Sequence, residues 1–393
     1  MTPAAPAGRL PASIWALGFV SLLMDVSSEL IHSLLPVFMV SVLGVSMLTV
    51  GLLEGAAEAT ALFVKVFSGT LSDWWGKRKP LALLGYGLGA ATKPLFALAT
   101  SVDPVITARL LDRVGKGLRG APRDALIADI TPEAQRGAAF GLRQSLDTVG
   151  AFLGPILAIV FMLLWANDIR TVFWVAVIPA VLCVALLAFG VSEPERPAGQ
   201  PRINPLRRDN LRRLKGPFWN VAVFGGCFTL ARFSEAFLVL RAQGGGLPMA
   251  WVPAVLIAMN MVFAAAAYPL GSLADRVSHR SLLSAGMVLL ILADLCLAYA
   301  AHGPLFWLGI VLWGLHMAAT QGLLAAMVAD TAPADLRGTA YGLFNLVCAL
   351  ALLVASALAG WLWDRSGPSA TFVTGAALAM ASLLLLWLTP HRR

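Results

Sequence analysis

The sequence carries little charge for its length. Of its 393 residues, 13% are Asp, Glu, Lys or Arg, whereas 59% are hydrophobic. Soluble domains of this size are far less apolar. The polar segments between the apolar runs are also too short to hold a soluble domain. A lipid bilayer is therefore the predicted solvent for most of the chain.

Motifs for catalysis, nucleotides and metals are absent as well. The four cysteines lie singly in apolar stretches without CxxC or Cys/His spacing, and we interpret them as small core residues. The sequence has no Walker motif and no Ser/His/Asp arrangement. We therefore expect no enzyme activity, cofactor or metal. The net charge is +8. The Lys and Arg residues outside the apolar runs cluster in particular loops, which does not favour nucleic-acid binding.

The chain does contain a series of apolar runs, each close to the about 20 residues that a membrane-spanning helix needs. We predict an all-α integral membrane protein with twelve spanning helices. The first run is too long for a signal-peptide core and holds three titratable residues, so we expect it to be retained. The predicted spans are 12–42, 46–71, 80–100, 104–129, 138–165, 170–191, 217–241, 248–272, 281–301, 304–330, 339–363 and 369–389.

Basic residues beyond these spans or at their first residue fall mainly on one side of the membrane. With a cytoplasmic N-terminus, seventeen Lys and Arg lie on the inner side and two, Arg170 and Arg365, lie on the outer side. The positive-inside rule then predicts a plasma (inner) membrane protein with both termini in the cytoplasm. The longest hydrophilic stretch, 193–216, is rich in Pro and Arg. We interpret it as a solvated cytoplasmic linker, with a segment on the membrane surface as the alternative.

Two motifs occur twice at nearly one spacing. GTLSDWWGKRK begins at residue 69 and returns as GSLADRVSHR after 202 residues, and LIADITPEAQRGAAFGL begins at residue 126 and returns as MVADTAPADLRGTAYGL after 201 residues. This predicts a duplicated six-helix unit. The predicted domains are an N-terminal bundle over 1–192, the linker over 193–216 and a C-terminal bundle over 217–393. The charged segment 104–129 counts as spanning because its repeat partner is plainly apolar.

These motifs resemble those of the major facilitator superfamily, and the resemblance covers the whole chain. The loop after helix 2 is similar to the signature of that family, with Trp74 where a basic residue is usual and Ser278 in place of a glycine in the second copy. Arg113 and two glycines of helix 4 resemble a second motif. GAFLGPILA over 150–158 resembles the Gly-rich helix 5 motif associated with antiporters, with Ala158 replacing its last glycine. The resemblance implies two pseudo-symmetric six-helix bundles.

An aspartate near a helix end can pair with an arginine or with a neighbouring helix end, and such a contact can hold one conformation and release in another. Plain helix termination is the alternative. The predicted conformational latch comprises Gly69, Asp73, Gly76, Lys77, Arg78, Gly271, Asp275 and Arg276. Close packing and bending of helix 5 are predicted at Gly150, Gly154 and Pro155.

Charged side chains within a membrane are costly and by default mark functional sites. At about 100° per residue, helix 4 gathers its charges on one face, and helices 1 and 2 carry acidic stripes. The resemblance places helices 1 and 4 on one central cavity, and structural ion pairing is the alternative for any single residue. The predicted proton-coupling residues are Asp25, Glu29, His32, Glu54, Glu58 and Arg113. The predicted substrate-binding residues are Arg109, Lys116, Arg119, Arg123, Arg232, Glu235, His316, Gln321 and Trp313.

Together these features predict a secondary active transporter that works by alternating access. The preferred hypothesis is proton-coupled efflux of an amphipathic organic compound, such as an anionic drug or siderophore. The first alternative is proton-coupled uptake of an anionic metabolite or metal chelate. The second is a non-transporting membrane receptor or scaffold, which the charged interior disfavours. The expected partners of the monomer are a small-molecule substrate, the proton and membrane lipid.

Overall fold

The computed structural model describes residues 10–75, 77–132, 135–193, 213–214, 216–274, 277–333 and 336–388, apart from some side chains within helices. These residues form twelve long helical segments. They are α1 (Ala12–Val42), α2 (Met47–Trp75), α3 (Lys79–Leu98), α4 (Val102–Ile130), α5 (Arg136–Leu164), α6 (Ile169–Gly190), α7 (Gly216–Leu230 and Ala236–Gly244), α8 (Ala254–Ala274), α9 (His279–Tyr299), α10 (Gly303–Thr331), α11 (Arg337–Ser366) and α12 (Pro368–Leu388). The predicted all-helical membrane fold is confirmed.

In the described part of the chain, ten of these segments are long and apolar enough to cross a membrane. The segments α4 and α7 fall outside this set for different reasons. α4 carries five bases and two acids between residues 109 and 124, which lowers its hydropathy. α7 is divided into two shorter helices. The assignment of α4 as a spanning helix therefore rests on its repeat partner α10, which belongs to the ten.

The break in α7 has a hydrogen-bond partner on another helix. Residues 231–235 separate its two parts, although this stretch contains neither Pro nor Gly. The backbone N–H of Ser234 donates to Oγ of Ser356 on α11 at 3.1 Å. In lipid a freed backbone group needs such a partner. The break is therefore stabilised by a side chain more than a hundred positions away.

α6 begins with a well-formed cap. The carboxylate of Asp168 accepts hydrogen bonds from the Thr171 hydroxyl and from the backbone N–H groups of Arg170 and Thr171. These bonds, above all the one from the Thr171 side chain, lower the pKa of Asp168 from its usual value. The guanidinium of Arg170 in turn donates to the carbonyls of Ala97 and Ala99 at the end of α3.

The chain divides into two compact units. Unit 1 comprises Met1–His32, Phe63–Ala158 and Asp168–Ile203. Unit 2 comprises Ser33–Leu62, Ile159–Asn167 and Asn204–Arg393. The domain limits inferred from the repeat stay a prediction, and residues 194–212 and 215 of the expected linker lie outside the described residues.

The repeat is visible in the packing inside each unit. In unit 1 a Cβ placed on Gly85 of α3 would lie 2.7 Å from the backbone N of Arg119 on α4. In unit 2 the Cβ of Gly286, which follows Gly85 by 201 positions, would overlap the side chain of Thr320, which follows Arg119 by the same interval. α3 with α4 and α9 with α10 therefore pack in equivalent registers.

Candidate transport site

The two glycines of the helix 5 motif lie against the acidic stripe of α1. A Cβ on Gly150 would come within 2.9 Å of the Asp25 Cβ, and a Cβ on Gly154 within 2.5 Å of the Glu29 Cβ. Larger residues would separate the helices at these positions. Pro155 follows within the same helix. The motif thus places the backbone of α5 directly on the two helix 1 acids that were predicted to couple protons.

A buried ion pair joins α3 and α4 within unit 1. Nζ of Lys93 lies 2.9 Å from Oδ1 of Asp112, and it also donates to Oγ of Ser28 on α1 at 3.1 Å. Both charged side chains are buried. The short distance and the additional hydrogen bond offset part of the desolvation of two charges. Lys93 was not among the predicted site residues.

His32 of α1 is the common neighbour of charged side chains from α1 and α4. Its Nδ1 lies 3.7 Å from Oε1 of Glu29, and its Nε2 lies 3.6 Å from Oδ2 of Asp112. Nη2 of Arg113 lies 3.1 Å from its Nδ1. Arg113 therefore meets α1 at the histidine, and a change of charge on His32 would be felt by an acid and a base at once.

Asp25 meets a second carboxyl group one turn before Glu29. Its side chain interacts electrostatically with that of Asp147 on α5, and Asp147 also accepts from Arg143 at 3.3 Å. Two ionised carboxylates close together repel each other. Asp147 is therefore a further acid beside the predicted coupling residues, and sequence reasoning missed it.

The guanidinium of Arg119 has no carboxylate within ion-pairing distance among the described residues, although Asp25 interacts with it electrostatically. Its side chain is only 5% exposed, and its Cζ lies 4.9 Å from the centre of the Tyr86 ring. Nη1 lacks any hydrogen-bond acceptor in the described structure. A guanidinium stays charged in proteins. The face of Tyr86 supplies only part of what such a charge loses on leaving water.

The other helix 4 bases differ in their surroundings. Arg123 donates from Nε to Oδ1 of Asp124 at 3.0 Å and from Nη1 to Ser21 at 3.3 Å. Arg109 is buried, whereas Lys116 is exposed. Arg123 is therefore an ion-paired residue in this conformation.

The predicted binding residues of unit 2 differ in their burial and in their contacts. Trp313 and His316 of α10 are fully buried, and Nδ1 of His316 lies 2.9 Å from the Gly286 carbonyl oxygen. Arg232 and Glu235 lie in the break of α7 and interact electrostatically. Gln321 is exposed.

The helix 2 acids belong to a different unit from the helix 1 acids. Glu54 is buried and Glu58 half-buried in the part of α2 that belongs to unit 2. Asp25, Glu29 and His32 belong to unit 1. The six predicted coupling residues therefore do not form one cluster within either unit.

The predicted latch is described only in part. Gly76, Asp275 and Arg276 lie outside the described residues, as does the side chain of Asp73. Gly69 belongs to α2 and Gly271 to α8, and Lys77 is exposed. Arg78 is the informative member. Its Nε lies 3.1 Å from Oδ2 of Asp129 near the end of α4, and its backbone N–H donates to Glu193.

Unit 2 contains a carboxylate cap that sequence reasoning missed. Asp364, near the end of α11, accepts from the backbone N–H groups of Met47 and Leu48 at 3.0 and 2.8 Å. These are the first residues of α2, where free N–H groups and the helix dipole favour an anion. A Cβ on Gly360 would lie 2.7 Å from the Cα of Leu48. The end of α11 and the start of α2 are thus tightly joined within unit 2.

Comparison with known proteins agrees with this architecture. The chain matches the Major Facilitator Superfamily over residues 17–355. The chain belongs to the Major Facilitator Superfamily. An uncharacterized MFS-type transporter of Methanocaldococcus jannaschii is 34% identical over 385 residues, which cover 96% of this chain and 95% of that protein.

More distant relatives of this superfamily member include named transporters. The multidrug resistance protein MdtH of Yersinia pestis is 24% identical over 355 residues, covering 88% of the chain and 85% of MdtH. A solved bacterial homologue of the human lysosomal transporter Spinster aligns with a TM-score of 0.79 at 15% identity, covering 97% of both chains. The structural likeness supports the fold. This superfamily member is a multi-pass membrane protein.

Proposed function

We propose that this superfamily member is a secondary active transporter that exports an amphipathic compound bearing an anionic group in exchange for protons. It lies in the plasma (inner) membrane with both termini in the cytoplasm. It alternates between inward-open and outward-open states. The environment of Arg119 is the observation that supports a substrate with an anionic group. Its charge is permanent, its side chain is buried, and among the described residues it contacts an aromatic face while its Nη1 has no hydrogen-bond acceptor.

An anionic ligand group would satisfy Arg119 better than the protein does in this conformation. A guanidinium binds carboxylate or phosphate oxygens in bidentate geometry, which a lysine ammonium does not reproduce. Lys116 lies one turn away on the same helix and is exposed, so it adds positive charge beside the proposed subsite. Because Arg123 is already paired with Asp124, it ranks behind Arg119 as a ligand contact.

The direction of transport has two sources of support. The helix 5 glycines resemble a motif associated with antiporters, and the structure places them on Asp25 and Glu29. MdtH, which is named a multidrug resistance protein, covers most of the chain. The alternative is proton-coupled uptake of an anionic metabolite or metal chelate, since the same basic face would bind those ligands.

Proton coupling is assigned to the α1 and α5 carboxyls. Asp25 interacts electrostatically with Asp147, two ionised carboxylates repel each other, and Glu29 lies beside His32. A base that moves away from such a carboxyl raises its affinity for a proton. Coupling then follows if the proton and the substrate bias the same two-state equilibrium.

The first experiment is a ligand-stabilisation screen of the purified protein against anionic metabolites, siderophores and lipophilic drugs. A compound present at about 100 times its dissociation constant should stabilise the fold by roughly 2.7 kcal/mol. Arg119→Lys should weaken that effect although the charge is kept. Arg136→Lys, at an exposed position where α5 begins, is the matched control and should retain it. Equal stabilisation of both variants by every active compound would remove Arg119 from the site.

The second experiment tests coupling and transport together. Proteoliposomes loaded with a compound from the screen are followed with an imposed pH gradient and in substrate exchange without one. Asp25→Asn and Glu29→Gln should lose gradient-driven accumulation and retain exchange. Accumulation by both variants would transfer the coupling role to Glu54 and Glu58. Absence of any flux from the wild-type protein would favour a receptor or scaffold.

A further inference from the structure

Unit 2 contains a buried carboxyl group with no partner in the described structure. Asp294 lies on α9, and its side chain is fully buried. Neither carboxyl oxygen has a hydrogen-bond partner, and no described cation lies within ion-pairing distance. Buried carboxylates are normally paired or hydrogen-bonded. This group therefore needs a physical explanation that the residues around it do not supply.

The Asp294 carboxyl lies beside an aromatic ring and a glycine backbone. Its Oδ2 lies 2.6 Å from the position that a Cβ on Gly375 of α12 would occupy. The edge of Phe233 approaches the same point to 3.0 Å. The Phe233 ring contacts those of Trp313 and Phe372, with centroid distances of 5.4 and 5.3 Å. The carboxyl thus lies beside Gly375 and Phe233. Phe233 belongs to an aromatic shell, here defined as Phe233, Trp313 and Phe372.

No described ionisable group on the neighbouring helices lies within bonding distance of Asp294. α12 has no ionisable side chain. On α10, Nδ1 of His316 contacts the Gly286 carbonyl, two turns before Asp294, while its Nε2 has no partner among the described residues. Asp330 is exposed at the far end of α10. On α7, Arg241 donates to the Leu297 and Ala298 carbonyls at the end of α9. The remaining α7 charges, Arg232 and Glu235, interact with each other.

The internal repeat allows the surroundings of Asp294 to be compared with those of the equivalent residue in unit 1. Residues 32, 93 and 112 of unit 1 correspond to residues 233, 294 and 313 of unit 2 at the 201-residue interval. The first set, His32, Lys93 and Asp112, forms a mutually satisfied ionic cluster. The second set is Phe233, Asp294 and Trp313. Unit 2 has therefore kept an ionisable group at the Lys93 position and replaced both of its counterparts by aromatic rings.

We infer that Asp294 is a proton-binding site of unit 2, protonated while the aromatic shell is closed. The carboxylate accepts a proton from a hydronium ion, whose O–H bond breaks as the carboxyl O–H bond forms, and returns the proton to water when the shell opens. Among the described residues, an ionised carboxylate at this buried position would have no cation and no hydrogen-bond donor within bonding distance, so the neutral acid is favoured. This site is additional to the α1 carboxyls and does not depend on their role.

Infrared spectroscopy of the purified protein tests the inference without substrate or gradient. At neutral pH the wild-type protein should show a protonated-carboxyl absorption that is lost in Asp294→Asn. Asp103→Asn, which removes an exposed carboxylate in the first turn of α4, is the matched control and should retain it. An unchanged absorption in folded Asp294→Asn would overturn the inference.

A second measurement covers the case in which the Asn variant does not fold. Asp294→Glu keeps the carboxyl and should move the absorption rather than remove it. The thermal unfolding midpoint of the wild-type protein should also fall as the pH rises, since the folded state holds a proton that the unfolded state has released. An absorption that neither moves in Asp294→Glu nor responds to pH would show that Asp294 is not its source and would refute the proposal.

Discussion

Replacing Lys93 removes the ammonium group that directly neutralises Asp112 inside unit 1. Deleting one partner of a buried ion pair costs about 3–5 kcal/mol, because the other charge stays buried. Asp112 would keep His32 at 3.6 Å and Arg113 at 3.8 Å. We therefore expect Lys93→Met to lower the free energy of unfolding by about 3 kcal/mol, the low end of that range.

The opposite deletion should cost more. After Asp112→Leu, the ammonium of Lys93 would keep a single described partner, the hydroxyl of Ser28 at 3.1 Å. A loss near the upper end, about 5 kcal/mol, is expected. The double variant leaves neither charge of the pair and should be more stable than Asp112→Leu alone, because apolar replacement of a whole buried pair is often close to neutral.

Equilibrium unfolding in mixed micelles, followed by tryptophan fluorescence, gives these values. Asp103→Asn, at an exposed position, should stay within about 0.5 kcal/mol of the wild-type protein. Coupling between Lys93 and Asp112 appears as a departure from additivity in the double-mutant cycle. A loss below about 1 kcal/mol for Lys93→Met, or strictly additive losses, would refute the view that the pair neutralises itself.

Two further predictions concern close contacts within single units. Gly154→Ala should destabilise the protein by roughly 1–3 kcal/mol in a thermal unfolding assay through overpacking, because its Cβ would lie 2.5 Å from that of Glu29. Gly137→Ala in the same helix is the control: its Cβ meets nothing within 4 Å, and it should be neutral or stabilising in that assay. Asp364→Asn should weaken the cap on Leu48 and increase the labelling of cysteines placed at the start of α2, and unchanged labelling would show that this carboxylate is dispensable for the contact.

The order and approximate bounds of the helices follow from hydropathy and the repeat. The span expected over 104–129 is observed as Val102–Ile130 although its bases depress its hydropathy. The span expected over 46–71 continues to Trp75, because helix formation does not stop where charge lowers the apolar average. The break in α7 was not predictable, since the stretch lacks Pro and Gly and its stabilising hydroxyl, on Ser356, is remote in sequence.

The sequence predicted which charged residues share one face of a helix, but not which side chains of different helices form pairs. Spacing alone placed Asp25 and Glu29 on one face of α1, because the helical period is fixed. Which side chain meets which depends on the register between helices, and close backbone approach sets that register. Lys93 was missed for this reason: its partner Asp112 lies on the next helix. A lone lysine in an apolar helix was the available signal.

Nη1 of Arg119 and both carboxyl oxygens of Asp294 lack a hydrogen-bond partner in the described structure, and the chemistry of the two groups gives this lack opposite meanings. A guanidinium cannot shed its charge and therefore calls for an anionic ligand, whereas a carboxyl can become neutral by binding a proton. If both events bias one conformational equilibrium, each must alter the affinity for the other by the same factor. Ligand affinity, measured for a compound found in the stabilisation screen, should then depend on pH in the wild-type protein.

That pH dependence identifies the carboxyl that carries the coupling. If Asp294 is linked to ligand binding, Asp294→Asn should flatten the dependence, while Asp25→Asn should leave part of it. The Asp103→Asn control should follow the wild-type curve, because its carboxylate is exposed. A curve that is flattened by Asp25→Asn and unchanged by Asp294→Asn would assign the coupling to the α1 carboxyls alone. Asp294 would then bind its proton without using it in transport, since a site with equal affinity in both states shifts no equilibrium.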